Sequence, residues 1–259
     1  LVCVGPALSL GAILRPLQAH RGMAAAALSG NQALANQRAV AEKEITAAFA
    51  QARTIIPVSA APVVKLLDEA EADWASLAKS LKDPAFPMEE NYNRHTRLVG
   101  TTLKALETCI DHYGLSLDPE GSSYFLIIAA FNDLPKLTES IGRLRATGTA
   151  ILGIKPATTE ERVSIASLLE RTRDETERSR GVIQKAIAAQ GLKRDKLETA
   201  SLAAVDATKN NYSNDAGSNS QLFFNISSRQ IRHLHLYLSL YIDEWKMSRL
   251  TDPDKHNFT

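Results

Sequence analysis

The stretch Gln18-Ala19-His20-Arg21-Gly22-Met23, followed by an alanine run to Leu28-Ser29-Gly30-Asn31, places a charge where a leucine belongs. At about 100° per residue, Leu10, Ile13, Leu14, Leu17, Ala24 and Leu28 share one helical face, and Arg21 falls near its middle. A guanidinium keeps its proton, and burying it without a partner costs several kcal/mol. The chemistry this residue can do there is to hold a negative group. That group is an internal carboxylate, with Asp133 and Glu139 as candidates, or a bound anion. His20 lies roughly 80° off the same face and reads as a rim residue.

A second stretch, Asp133 to Gly148, carries Arg143 and Arg145 beside an apolar face of Leu134, Leu137, Ile141 and Leu144. Arg145 lies roughly 60° from the centre of that face and can reach inward, while Arg143 points away. Gly142, Gly148, Gly22 and Ala24 to Ala27 would let helices approach closely. Two arginines flanking such a gap suit a small anion, which bidentate N–H bonds would orient.

Other chemistries lack their residues. There is no phosphate-cradling glycine loop, no His-Glu-x-x-His, no paired Cys motif and no nucleophile elbow, so neither an enzyme nor a cofactor is expected. Cys109 and His112 lie one turn apart but have no further partners, and His233 and His235 point to different sides of a helix, so no metal site is expected. Cys3 and Cys109 allow one disulfide at most. With 30 Lys+Arg against 29 Asp+Glu and no basic patch interleaved with aromatics, no nucleic-acid partner is expected.

The elements that must position the arginines are helices. Aromatics make up only 6% of residues, and no segment alternates like a strand. The pattern predicts a first helix from Pro6 to about Ile56, kinked at Pro16, with an irregularity at Gly30-Asn31. A second follows from Ala61 to Leu81. A third runs from Met88 to about Tyr113 and is closed by Gly114. A fourth starts at Asp118-Pro119-Glu120, with Asp118 as N-cap, and runs to about Gly153 with a kink at Pro135. A fifth opens on the capping box Thr158-Thr159-Glu160-Glu161 and ends at Gly191, with an almost wholly polar middle. Beyond a polar stretch at Lys209 to Ser220, a last helix carries the seam Ile231, Leu234, Leu238, Tyr241 and Trp245. The expectation is an all-α fold: an elongated antiparallel bundle, two stacked four-helix bundles sharing long helices. Residues 1–250 would form one sensor domain of two modules, and 251–259 a disordered tail.

The apolar run Leu1 to Leu14, broken by Gly5-Pro6 and followed by Arg15, is too short to span a bilayer. It reads as a helix start packed on its own protein or as the trailing edge of a membrane helix. The chain begins with Leu, as a fragment would, and no signal peptide is recognisable.

The motif Gln18-x-His20-Arg21-Gly22 with Leu28-Ser-Gly-Asn31 resembles the first helix of all-helical sensor domains of bacterial signalling receptors. Asp118-Pro119-x-x-Ser122-x-Tyr124-x-Leu126, then Leu134-Pro135-x-Leu137-x-Glu139 and Gly142-Arg143-Leu144-Arg145-x-x-Gly148, resembles their later part. These are the nitrate- and nitrite-sensing domains and the helical bimodular domains of chemoreceptors, and the resemblance covers about Leu10 to Trp245. It implies a dimeric bundle that binds a small anion or organic acid and precedes a histidine kinase, cyclic-di-GMP synthase or chemotaxis module. In the nitrate-sensing type an arginine of the first-helix motif contacts the anion, and Arg21 matches it.

The expected function is therefore the ligand-sensing input domain of a bacterial signal-transduction receptor. A small anion or carboxylate would neutralise Arg21 with help from Arg145, Gln18 and Tyr124 would hydrogen-bond it, and a helix shift would carry the signal. A homodimer and a membrane-anchored full-length protein with a C-terminal signalling module are expected, on the extracytoplasmic, periplasmic face of the inner membrane, with a cytoplasmic location as the alternative. The competing reading is a structural dimerisation module in which Arg21 is paired internally.

Overall fold

The computed structural model describes residues 4–30, 32–152 and 158–190, and all the elements among them are helical. The chain divides into two compact units, Leu1–Leu115 and Ser116–Thr259. Each described α-helix lies wholly within one of them. Cys3, His233, His235, the Ile231–Trp245 seam and the expected tail lie outside the described residues.

The first unit holds α1 (Val4–Leu28), α2 (Gln32–Ile55), α3 (Ala61–Ser80) and α4 (Met88–His112). The single helix expected from Pro6 to Ile56 is instead an antiparallel hairpin. α1 passes through Pro16, then closes with Ser29 N–H to the Ala25 carbonyl and Gly30 N–H to that of Ala27. Gly30 takes φ 89°, a conformation that ends a helix at little cost only without a Cβ. The chain then turns back: a Cβ on Gly5 would meet Ile55 at 3.5 Å. The apolar pattern resumes after the turn, and periodicity alone cannot distinguish a continued helix from a folded-back one.

From Val4 on, the N-terminal apolar run packs inside its own unit. Val4, Ala7, Leu10, Ile13, Leu14 and Leu17 are buried with Ile45 and Phe49 of α2 and Leu98 and Leu106 of α4. Among the described residues no helix is long and apolar enough to cross a membrane. α3 buries Val63, Leu67, Ala70, Trp74 and Leu77, a four-three stripe. α4 buries Asn91, His95, Leu98, Thr102, Ala105 and Cys109 in the same way. Cys109 is a buried free thiol. Gly114, at φ 67°, closes α4 as its sequence predicts, donating to the Asp111 carbonyl. Arg53 bridges α2 to Asp68 and Glu71 of α3, and Arg38 donates to the Leu81 carbonyl at 3.2 Å just beyond the end of α3.

The second unit begins with a short 3-10 turn, Leu115–Leu117, shared with the boundary, and holds α5 (Gly121–Ile128), α6 (Leu134–Leu152) and α7 (Thr159–Gln190). α5 starts two residues later than Asp118-Pro119-Glu120 suggests, because the Asp118 carboxylate accepts the Glu120 N–H at 3.0 Å and so holds a local turn instead of capping the helix. The kink expected at Pro135 is a π-turn, Ala129–Asp133. Proline has no N–H, and its ring presses on the carbonyl four residues back; the widened turn just before Pro135 relieves both. α7 opens on the expected capping box: the Glu161 carboxylate accepts the Thr158 N–H at 2.8 Å, and the Thr158 hydroxyl accepts the Glu161 N–H at 3.2 Å. Its polar middle is buried on one side by hydroxyls. Thr172, Thr176 and Ser179 continue the stripe from Leu168 to Ile183, and the two threonines donate back to the carbonyls of Leu168 and Thr172.

Candidate functional site

Arg21 is buried to 1% exposure between Leu17 and Ala24 on α1. Two groups from α4 hold its guanidinium. Nη1 donates to the Thr96 hydroxyl at 3.0 Å, and the Tyr92 ring faces Cζ with its centroid 5.6 Å away. Tyr92 and Thr96 are four apart, so they lie on one side of α4. The Asn91 side-chain amide donates to the Arg21 carbonyl at 3.4 Å and so ties α4 to the backbone of α1. Tyr92 and Thr96 orient the planar fork. Gln18, three residues before Arg21 on the same face, is also buried.

Beside Arg21 lies a histidine pair that the helical angle misjudges. His20 has no exposed surface, whereas a rim position was expected; α2 and α4 both cover α1, so its buried arc is wider than a single face. His20 Nδ1 stands 2.8 Å from Nε2 of His95, itself fully buried on α4. His95 Nδ1 is 2.8 Å from the Asn91 carbonyl. His20 Nε2 faces Glu42 of α2 at 3.5 Å, and Arg38 Nε approaches the same oxygen at 3.3 Å. Trp74 of α3 closes the cluster, edge-on to the His20 ring with centroids 5.0 Å apart, and donates from its indole to Thr46 at 3.2 Å.

Burial lowers the pKa of His20, partly opposed by Glu42 and reinforced by Arg38. Burial drives that of His95 well below the usual histidine range, and the charges of His20, Arg21 and Arg94 add to this. The contact with His20 lowers the pKa of Glu42, helped by Arg38 and Lys82.

His95, Thr96, Tyr92 and Glu42 were not recognised from sequence. The signal for His95 is the α4 stripe itself: stepping back from Leu98 by three and by seven gives His95 and Asn91.

The structure places Gln18 and Arg21 in the first unit and Tyr124 and Arg145 in the second. Tyr124, on α5, is half-buried with its ring against Phe125. Arg143 and Arg145, on α6, are both half-buried. Asp133 is buried at the end of the π-turn, where the Asn132 amide donates to it at 2.8 Å. Burial raises its pKa, against the pull of that bond and of Arg178 and Lys136. Glu139 is buried as well. Among the described residues no group of three or more His, Cys, Asp or Glu side chains is placed to hold a metal ion. An open crevice of about 720 Å³ on the α3–α4 surface is lined by Asp73, Glu89, Glu90, Arg94 and Arg97 among others. Its acids outnumber its arginines, which disfavours an anion there, and neither Gln18 nor Arg21 lines it.

Residues 12–236 match the family described as nitrate and nitrite sensing. The fold is similar to the solved structure of the NasR transcription antiterminator, with a TM-score of 0.68 and 16% identity over 94% of this chain and 67% of that one. At that identity the likeness speaks for the all-helical fold. No curated protein matches the chain.

Proposed function

The chain belongs to the nitrate and nitrite sensing family, a family of ligand sensors, and from that premise we propose that it is the input domain of a signalling protein that binds nitrate or nitrite at Arg21. The observation that carries this reading is the burial of the Arg21 guanidinium, at the position that the resemblance of the first-helix motif matches to an anion-contacting arginine. A planar oxyanion can take two parallel N–H bonds from a guanidinium, and such charge-assisted pairs are about twice as strong as neutral ones. Thr96 would fix the plane of the fork, Tyr92 would cover one side of it, and the Gln18 amide would add a directed hydrogen bond.

The output follows from where these groups sit. Arg21 and Gln18 ride on α1, Thr96 and Tyr92 on α4. An anion that binds one arrangement of the two helices better than another shifts the population toward it by its differential affinity, and a small helix displacement is the usual form of such a shift.

A thermal-shift screen with sodium nitrate, nitrite, acetate and chloride tests the reading. Nitrate or nitrite at a hundredfold excess over Kd should stabilise the protein by about 2.7 kcal/mol, which corresponds to roughly 5–10 °C in Tm for a chain of this length. Chloride at equal ionic strength should not. If neither nitrate nor nitrite moves Tm, or all four salts move it equally, the proposal fails.

A further inference from the structure

We propose that His20, His95 and Glu42 form a buried store for one proton, filled when an anion occupies Arg21, so that anion binding in the first unit is coupled to proton uptake. The coupling rests on the reading of Arg21 as an anion site; the store itself rests on hydrogen-bond counting.

A carbonyl only accepts, so the 2.8 Å contact with the Asn91 carbonyl requires His95 Nδ1 to carry a hydrogen. In a neutral His95, Nε2 is then a bare acceptor, and His20 Nδ1 must donate across the 2.8 Å gap. That leaves Nε2 of a neutral His20 bare as well, facing an acceptor, the Glu42 carboxylate, at 3.5 Å. This nitrogen is buried and has no hydrogen-bond partner. Turning His20 into its other tautomer satisfies Glu42 but sets two lone pairs against each other at 2.8 Å. Both neutral arrangements thus contain one unsatisfied contact. One added proton removes it: with the proton on His20, or passed to His95 across their shared hydrogen bond, every nitrogen of the pair donates or accepts correctly, and Nε2–H points at Glu42. A second proton would place hydrogens on both facing nitrogens. The store therefore holds one.

Without an anion, burial disfavours the charged rings most, and the surrounding cations add to it. From α1 Arg21, and from α4 Arg94, act on His95; from α2 Arg38 acts on His20; Lys82, just beyond α3, acts on Glu42. From α3 the uncharged Trp74 ring packs against His20. Glu42, and for His95 the bond to the Asn91 carbonyl, favour the proton, and burial opposes it. An anion on Arg21 cancels the cation adjacent in sequence to His20, whose guanidinium bonds Thr96, the residue after His95. The balance then moves toward the protonated pair. Linkage fixes the sign: whatever makes anion binding favour the proton makes the proton favour the anion, so affinity should fall as pH rises from the ligand-free toward the ligand-bound pKa of the pair. The limiting slope is tenfold per pH unit for one proton.

Two measurements on the intact protein decide this. Nitrogen-15 spectra of the histidine rings in the ligand-free protein, followed over pH, should show His95 with Nδ1–H throughout and the pair taking up a single proton. Two independent titrations, or none before acid unfolding, would overturn the store. Calorimetry with sodium nitrate in buffers of different ionisation heat should then show proton uptake on binding, with affinity falling as pH rises. In Glu42→Gln the amide N–H can donate to His20 Nε2 and close the chain with both rings neutral. This variant should still bind nitrate but lose the uptake and the pH slope. Wild-type binding without uptake, or an unchanged slope in Glu42→Gln, would overturn the coupling. Absence of nitrate binding would overturn the anion reading and the coupling together, while the ring spectra would still decide on the store.

Discussion

Arg21→Ala is expected to abolish the nitrate-dependent rise in Tm while leaving a folded protein. A hydrogen bond to a charged group contributes about 1.5–3 kcal/mol, so losing two on an oxyanion lowers affinity by about a hundredfold or more. The native fold bears the cost of burying this guanidinium whether or not ligand is present, so truncation both removes a desolvated charge and opens a cavity. Arg21→Met separates the two effects. It fills most of the volume without the charge and should lose nitrate binding as completely as alanine, with a smaller change in the ligand-free Tm. Retention of the nitrate shift in Arg21→Met would assign the anion to another residue.

Trp74→Ala should produce the largest loss of stability. The side chain is 4% exposed, packs edge-on to His20 and bonds Thr46 through its indole. Truncating a buried aromatic of this kind costs about 3–5 kcal/mol, read as a lower urea midpoint at unchanged m. It should also change how stability depends on pH. His20 and His95 have pKa values lowered by burial, so the folded state disfavours their charged forms. For a histidine of this kind the unfolded chain takes up the proton first. Stability is full above the ordinary histidine pKa of about 6.5 and declines as pH falls from there toward the lowered folded values. Water admitted by Trp74→Ala restores the rings toward ordinary behaviour, so the decline between neutral and mildly acidic pH should be shallower than in wild type. An equal slope in both proteins would show that Trp74 does not set the burial of the pair.

The sequence carries local geometry well and relative placement poorly. Gly114, the Thr158–Glu161 box and the α3 stripe were legible because each depends on residues within about one or two turns. The same reasoning merged α1 with α2, since Leu34, Ala41, Ile45 and Phe49 continue after Gly30 the period set before it. It also put the α5 start at Asp118, where a side chain able to cap a helix instead closes a turn. Arg21 was legible as a buried charge because it stands in a leucine stripe. Its partners Tyr92 and Thr96 were not, because they come from a helix about seventy residues on, and contacts at that separation depend on helix offsets. His20 illustrates the same limit: one helix wheel gives one inner face, but α1 is covered from two sides.

The most direct test of the central claim is a calorimetric titration of sodium nitrate into wild type and Arg21→Lys side by side. Lysine keeps the charge and most of the length but lacks the planar two-point fork. The account predicts saturable binding by wild type and an affinity at least about tenfold lower for Arg21→Lys, the loss of roughly one charge-assisted bond. Equal affinity in the two proteins, or no binding by wild type, would contradict it.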